Sequence, residues 1–243
     1  MNLPSTLVRI ETTPDLVDRV YRVLLDAISS GALSPGQRIT QEEIAEQLAV
    51  SRQPVLQALR WLKRDGLVAD APGRGVQVAP LDVQSLVQVY QVRGALDALA
   101  ARWAARARSV IDPQLLVNGR QAARAGDVRA MIEADIAFHE AIYQASGNPL
   151  IAQTAQSQWR HLRRAMGAVL QQSRQRDSLW DEHAAIAQAI AAGDEALAAK
   201  LIETHANQAC ENLSNELHQV LAQSQPPSET PLTPTPLSTR SAS

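Results

Sequence analysis

The stretch Thr40–Gly66, TQEEIAEQLAVSRQPVLQALRWLKRDG, constrains this chain more than any other. It holds two short amphipathic patterns with a break between them. Thr40 followed by Glu43 spells a capping box, in which the hydroxyl accepts an orphan backbone N–H and the carboxylate reaches back to the cap. Ile44, Ala45 and Leu48 recur behind it at helical spacing. Ser51 is placed to cap a second helix, and Pro54 falls in its first turn, where a missing N–H costs little. Val55, Ala58, Leu59 and Leu62 make that helix's apolar stripe, and Gly66 stops it. Two such helices joined by a tight turn form a helix-turn-helix.

The opposite face of the second helix carries Arg52, Gln53, Gln57, Arg60, Lys63 and Arg64. A helix-turn-helix presents the first residues of its second helix to base edges in the major groove. Arg pairs bidentately with guanine and Gln with adenine, so Arg52, Gln53 and Gln57 have suitable chemistry in the right turn. A solvated polar face on an ordinary amphipathic helix has the same composition, and charge alone does not separate the two. The following residues favour DNA. Leu67-Val68-Ala69, then APGRG, then Val76-Gln77-Val78 predict a small β-hairpin with Arg74 at its tip. A hairpin directly after a recognition helix is a wing, from which Arg74 reaches phosphate or the minor groove. A solvent-exposed turn arginine is the plainer alternative.

At 243 residues there is material for two domains, and the abundance of Ala, Leu and Gln favours helix. Aromatic content of 3% argues against binding single strands by base stacking. A net charge of −2 means that any DNA-binding charge must be local, on the recognition helix and wing. The single cysteine, Cys210, excludes a disulfide within the chain and suits a reducing compartment. MNLPSTLVRIET lacks the apolar run of a signal peptide, and no stretch approaches 18 uninterrupted apolar residues. A cytoplasmic location with no membrane partner is expected.

Residues 1–13 read as a flexible arm. Thr13-Pro14-Asp15 starts a helix whose stripe is Leu16, Val20, Leu24, Ala27 and Ile28, opening a winged-helix domain over 14–81. From Pro80 onward the pattern is helix after helix. The predicted spans are Asp82 to about Arg108, 113–125, 128–145, 150–173, 178–192, and a last one after Gly193-Asp194 to about Gln223. The fold class is therefore mainly α: a winged helix-turn-helix of three helices plus a β-hairpin, then an all-α antiparallel bundle of about six helices over 82–223. Residues 224–243 are rich in Pro, Ser and Thr and are expected to be a disordered tail.

Within the bundle, Asp135 and His139 stand at i and i+4 on one helical face. His183 opens a later helix, and His205 lies among Ile202, Ala206 and Ala209 in the last one. By spacing alone such residues are more often satisfied core histidines and surface hydrogen bonds than metal ligands.

Two resemblances sharpen these readings. Residues 14–80 resemble the winged-helix domain of the GntR family of bacterial transcription regulators, through "GALSPGQRI", "EEIAEQLAVSRQPV", "ALRWLKRDGLV" and "GRGVQV". The likeness implies that Arg38, Ser51, Arg52, Gln53 and Gly75 fall where FadR-type members contact DNA. The family usually has Arg and Glu where this chain has Leu56 and Gln57, which implies an altered operator. Residues 82–221 resemble the FCD effector domain, through "DIAFHEAI", "GNPLI" and "DEHAAIAQAIAAGDEALAAKLIETH". Metal-binding members hold one divalent ion with an Asp and three His, and Asp135, His139, His183 and His205 occupy all four positions. His161 and His218 do not match.

Three imidazoles and a carboxylate suit zinc first, then nickel, cobalt or manganese, and not calcium or magnesium. One such ion per chain is expected. Arg93 and Asp97 fall where the family commonly has an Arg and an acidic residue. Arg93 is thereby placed to hold a small carboxylate effector, or else to pair with Asp97 on the helix surface. The expectation is a homodimeric, ligand-responsive repressor of operator DNA, not an enzyme. A metal-dependent hydrolase and a regulator with a purely structural metal are the alternatives.

Overall fold

The computed structural model describes residues 14–73, 75–170 and 177–224. The expected N-terminal arm, the tail after Ser224 and the wing-tip Arg74 lie outside the described residues.

The reading half begins with α1 (Pro14–Ser29), followed by β1 (Arg38–Ile39), α2 (Gln41–Gln47), α3 (Arg52–Arg64), β2 (Val68–Asp70) and β3 (Val76–Val78). Val20, Leu24 and Ile28 of α1 are buried in one cluster with Val55, Ala58, Leu59 and Leu62 of α3, as periodicity predicts; Tyr21, outside the predicted stripe, joins them, and Leu16 and Ala27 are only half-buried. The capping box forms as spelled: the Glu43 N–H donates to Thr40 Oγ1 (3.3 Å), and the Thr40 N–H donates to Glu43 Oε2 (2.9 Å). Ser51 occupies the N-cap position of α3, but its side chain makes no capping hydrogen bond.

The wing is a three-stranded sheet in the order β1-β3-β2, with β3 antiparallel to both neighbours. The hairpin was expected; β1 was not, because two residues are too few to show alternation. Gly75 makes the third strand possible. Its φ is +99°, and a Cβ there would stand 2.7 Å from the Ile39 carbonyl oxygen.

The second half is α4 (Val83–Arg106), α5 (Pro113–Ala125), α6 (Val128–Ala145), α7 (Pro149–Val169), α8 (Asp177–Ala192) and α9 (Glu195–Ser224). Asp82, Asp112, Asp127 and Asn148 cap α4 to α7 through their side chains. One cluster of buried residues runs through the bundle, from Leu86 and Tyr90 to Ile202 and Leu217. Gly119 of α5 lets the buried Trp180 ring lie directly on the backbone, since a Cβ there would fall 1.9 Å from the indole. Among the described residues, no helix is long and apolar enough to cross a membrane.

Helix α7 fastens the two halves together. Arg160 donates to Asp65 (2.8 Å), the residue that ends α3, and Tyr21 of α1 donates its hydroxyl to the same carboxylate (2.6 Å). One step along, Arg163 bridges Asp26 of α1 (3.3 Å) and Glu133 of α6 (2.6 Å). Arg164 donates to the carbonyl oxygen of Ala79, just past the wing. Gly167 completes the contact, because a Cβ there would stand 2.3 Å from the Ser29 carbonyl oxygen.

Candidate functional site

The residues expected to contact DNA take the positions that a helix-turn-helix requires. Ser51, Arg52 and Gln53 are exposed at the N-terminus of α3, and Gln57 is half-buried one turn on. Arg52 is held by an exposed ion pair to Glu42 of α2 (3.3 Å), which competes only weakly in water. Arg38 lies on β1, opposite Gln77 of β3, and so at the edge of the wing. Gly75 supplies close backbone approach within that wing rather than a side-chain contact.

In the bundle, the sequence-predicted quartet converges. Asp135 and His139 come from α6, His183 from α8 and His205 from α9. All four are buried, and one ligand atom from each lies within 4.8 Å of the others. His183 Nε2 stands 3.3 Å from His205 Nε2 and 3.4 Å from Asp135 Oδ1, and His139 Nε2 stands 3.9 Å from that same oxygen. Ligand atoms about 2.0–2.1 Å from a tetrahedral zinc ion would stand about 3.4 Å apart, so the set fits a transition metal in size and in donor type.

The surroundings favour the protonation states that a metal needs. Asp135 Oδ1 is buried with no hydrogen-bond donor of its own, an arrangement that is costly for a carboxylate unless a cation meets it. Burial, then the charge of Arg93, pushes the His139 imidazolium down, and burial with the neighbouring His205 and His139 pushes His183 well below the ordinary range. Neutral imidazoles are the ligating form. Outer carboxylates set the ring orientations: Glu182 Oε2 lies 2.8 Å from His205 Nδ1, and Asp97 Oδ2 lies 3.5 Å from His139 Nδ1. In His205 this leaves Nε2 for the centre of the cluster, whereas His139 Nε2 meets Arg93 Nη2 at 2.7 Å.

Arg93 pairs with Asp97, but not on the helix surface as the plainer alternative had it. It is 2% exposed and Asp97 is fully buried, with Arg93 Nε 3.1 Å from Asp97 Oδ2. Its guanidinium lies over the Trp159 ring (3.9 Å to the centroid), and Nη2 donates to His139 Nε2 (2.7 Å). Asp97 also accepts the Tyr143 hydroxyl. Burial alone would raise the Asp97 carboxyl, but the Arg93 charge, His139 and the Tyr143 hydrogen bond together outweigh it and hold the carboxyl down at about 2. Glu182, Tyr143 and Trp159 had no role in the sequence reading. Glu182 adjoins His183 and was open to discovery, whereas nothing in the spacing marks Trp159, one helix away.

Beside the quartet lies a cavity of about 650 Å³, lined by Arg93, Asp135, Glu182 and His205 on the polar side and by Met131 and Met166 among its apolar walls. Its size suits a small organic ligand.

One half of this chain exposes a recognition helix and a wing, and the other encloses a buried polar centre beside a ligand-sized cavity. That division is the architecture of a transcription regulator, not of an enzyme. The chain matches the model of the bacterial regulatory proteins of the gntR family over residues 16–78 and that of the FCD domain over 88–208. It belongs to the GntR family of transcription regulators, in the FadR-type group that carries an FCD domain.

An uncharacterised HTH-type regulator from the TAR-I ttuE-ttuC' intergenic region of Agrobacterium vitis is 30% identical over 133 residues, covering 52% of this chain and 78% of that protein. A probable D-xylose utilization operon transcriptional repressor of Paenarthrobacter nicotinovorans is 27% identical over 202 residues, 80% of this chain and 87% of its own. Among solved structures, Escherichia coli McbR/YncC shares the fold with a TM-score of 0.70 at 23% identity, over 83% of this chain and 98% of that one.

Proposed function

We propose that this chain is a cytoplasmic, homodimeric repressor whose operator affinity responds to a small carboxylate bound at a metal centre. Residues 14–81 form its DNA-reading domain and 82–223 its effector and dimerisation domain. The observation that carries the reading is the convergence of Asp135, His139, His183 and His205 beside the 650 Å³ cavity. These four residues would hold one divalent ion, zinc first, and an ion taking five or six ligands would supply a Lewis-acidic centre with positions left for a carboxylate. Arg93 projects a guanidinium N–H into the same place and is suited to a second contact with that carboxylate. The resemblance to a regulator named for a D-xylose operon is in keeping with a metabolite-responsive role.

Two-fold operators call for a two-fold protein. Val92, Leu99 and Trp103 of α4 remain exposed along the outside of the bundle, an apolar stripe suited to a second copy of the chain.

The effector reading is tested by titrating small carboxylic acids against a labelled operator, with wild-type, metal-free and Arg93→Ala proteins. A tenfold change in operator affinity in the wild type corresponds to about 1.4 kcal/mol of unequal binding to the two dimer arrangements. The response is expected to vanish without metal and to weaken in Arg93→Ala. A full response from metal-free protein would refute the reading.

For the DNA face, Arg38, Ser51, Arg52, Gln53 and Gln57 are proposed contacts, with Arg74 and the Gly75 backbone in the wing. Arg52→Ala is expected to lose about 1–3 kcal/mol against the specific operator and far less against random DNA. Fluorescence anisotropy on both DNAs checks this, and equal losses would reduce Arg52 to a backbone contact. Arg74→Ala is expected to weaken both and to flatten the salt dependence.

A further inference from the structure

A second cavity, of about 270 Å³, lies where the two halves of the chain meet and has no part in the function proposed above. Gly66, at the end of the recognition helix, and Pro80 and Leu81, leaving the wing, form one side of it. Asp82 and Ser85 at the start of α4, His161 and Arg164 of α7, and apolar side chains including Leu86, Val89 and Leu217 complete the wall.

Arg164 is the unusual member. It is 5% exposed, its Nε has no hydrogen-bond partner among the described residues, and its Nη2 donates to the neutral carbonyl of Ala79. Among the described residues no carboxylate pairs with it: the ion pairs of its neighbours Arg160 and Arg163 use Asp65, Asp26 and Glu133. Asp82, the acidic residue in the wall, spends its oxygen on the Ser85 N–H and hydroxyl. Burial with no compensating charge holds the Arg164 guanidinium down at about 10. A buried cation of this kind is costly unless a counter-ion meets it.

We infer that the junction cavity is an anion site, and that its ligand is a small monocarboxylate. The head group meets Arg164 with His161 beside it, and a short apolar chain lies against Leu86, Val89 and Leu217. The wall selects the class. One guanidinium balances one negative charge, whereas a phosphate dianion would add a second charge in a space that already holds the Asp82 carboxylate. The apolar residues favour a hydrocarbon tail over further polar groups. Such a ligand touches the end of α3, the exit of the wing and the first turn of α4 together, so its occupancy favours the docked arrangement of the DNA-reading half.

The test uses full-length protein, sodium butyrate as the probe and inorganic phosphate as a second arm, with binding followed by titration calorimetry. Because carboxylates are also proposed for the metal centre, each titration is run with and without a chelator. Butyrate is expected to bind metal-free wild type, with its Kd raised at least tenfold in Arg164→Gln. Val89→Phe, which fills the cavity and leaves Arg164 on the Ala79 carbonyl, is expected to abolish binding, and it decides the matter if Arg164→Gln does not fold. Overturning results are no butyrate binding to metal-free wild type, binding undiminished in both variants, or binding of phosphate in place of butyrate.

Discussion

Chelating the metal is expected to lower the melting temperature of the purified protein by roughly 10 °C. An ion present at a thousand times its Kd stabilises the folded state by about 4 kcal/mol, and each kcal/mol moves the midpoint by about 2–4 °C in a chain of this size. The ion would hold α6, α8 and α9 together through Asp135, His139, His183 and His205, so its removal loosens three helices at once. Elemental analysis should find close to one divalent ion per chain in wild type and almost none in a His139→Ala, His183→Ala double variant. Unchanged metal content in that variant would dismiss the site.

The metal-free protein carries its own pH signature. Burial holds His139 and His183 below the ordinary histidine range in the folded chain. An unfolded histidine titrates near 6.5, so below that pH the unfolded chain takes up more protons than the folded one. Stability should therefore fall as the pH drops from about 6.5, and metal affinity should fall with it because protons compete for the same nitrogens. Thermal melts across that range, with and without chelator, measure both effects.

The second large effect is expected at Asp97. Replacing it by Ala leaves the Arg93 guanidinium buried without its counter-charge and the Tyr143 hydroxyl without its acceptor. Losing one partner of a buried pair costs about 3–5 kcal/mol, a large share of a domain's stability. Asp97→Asn keeps an acceptor for Tyr143 and should cost less. Urea unfolding gives both values, and a loss under about 1 kcal/mol for Asp97→Ala would mean that Arg93 has found another partner.

What the sequence revealed and concealed follows from the range of the interactions involved. The capping box at Thr40, the stripe of α3 and the wing hairpin are local patterns, and each formed where the residues placed it. The quartet was legible because "DIAFHEAI" and the two later histidines match a family pattern; its convergence from three helices is not contained in any spacing. Arg93 and Asp97 were visible as an i, i+4 pair, but the sequence does not say which way that face of α4 turns. It turns inward, where Trp159 of a different helix covers it. The α7 arginines that hold the reading half were not legible at all. Their partners lie 85 to 137 residues away, and in the sequence they look like any solvated basic face.

That clamp bears on how such regulators can be recombined. Trp159 and Arg160 are consecutive, yet one covers Arg93 at the buried centre and the other grips the end of the recognition helix. A winged helix transplanted from another regulator onto this bundle would have to present a carboxylate where Asp65 stands and an open carbonyl where Ser29 meets Gly167. The joint is thus a keyed socket, and the exchangeable unit is a reading head together with its matching notches.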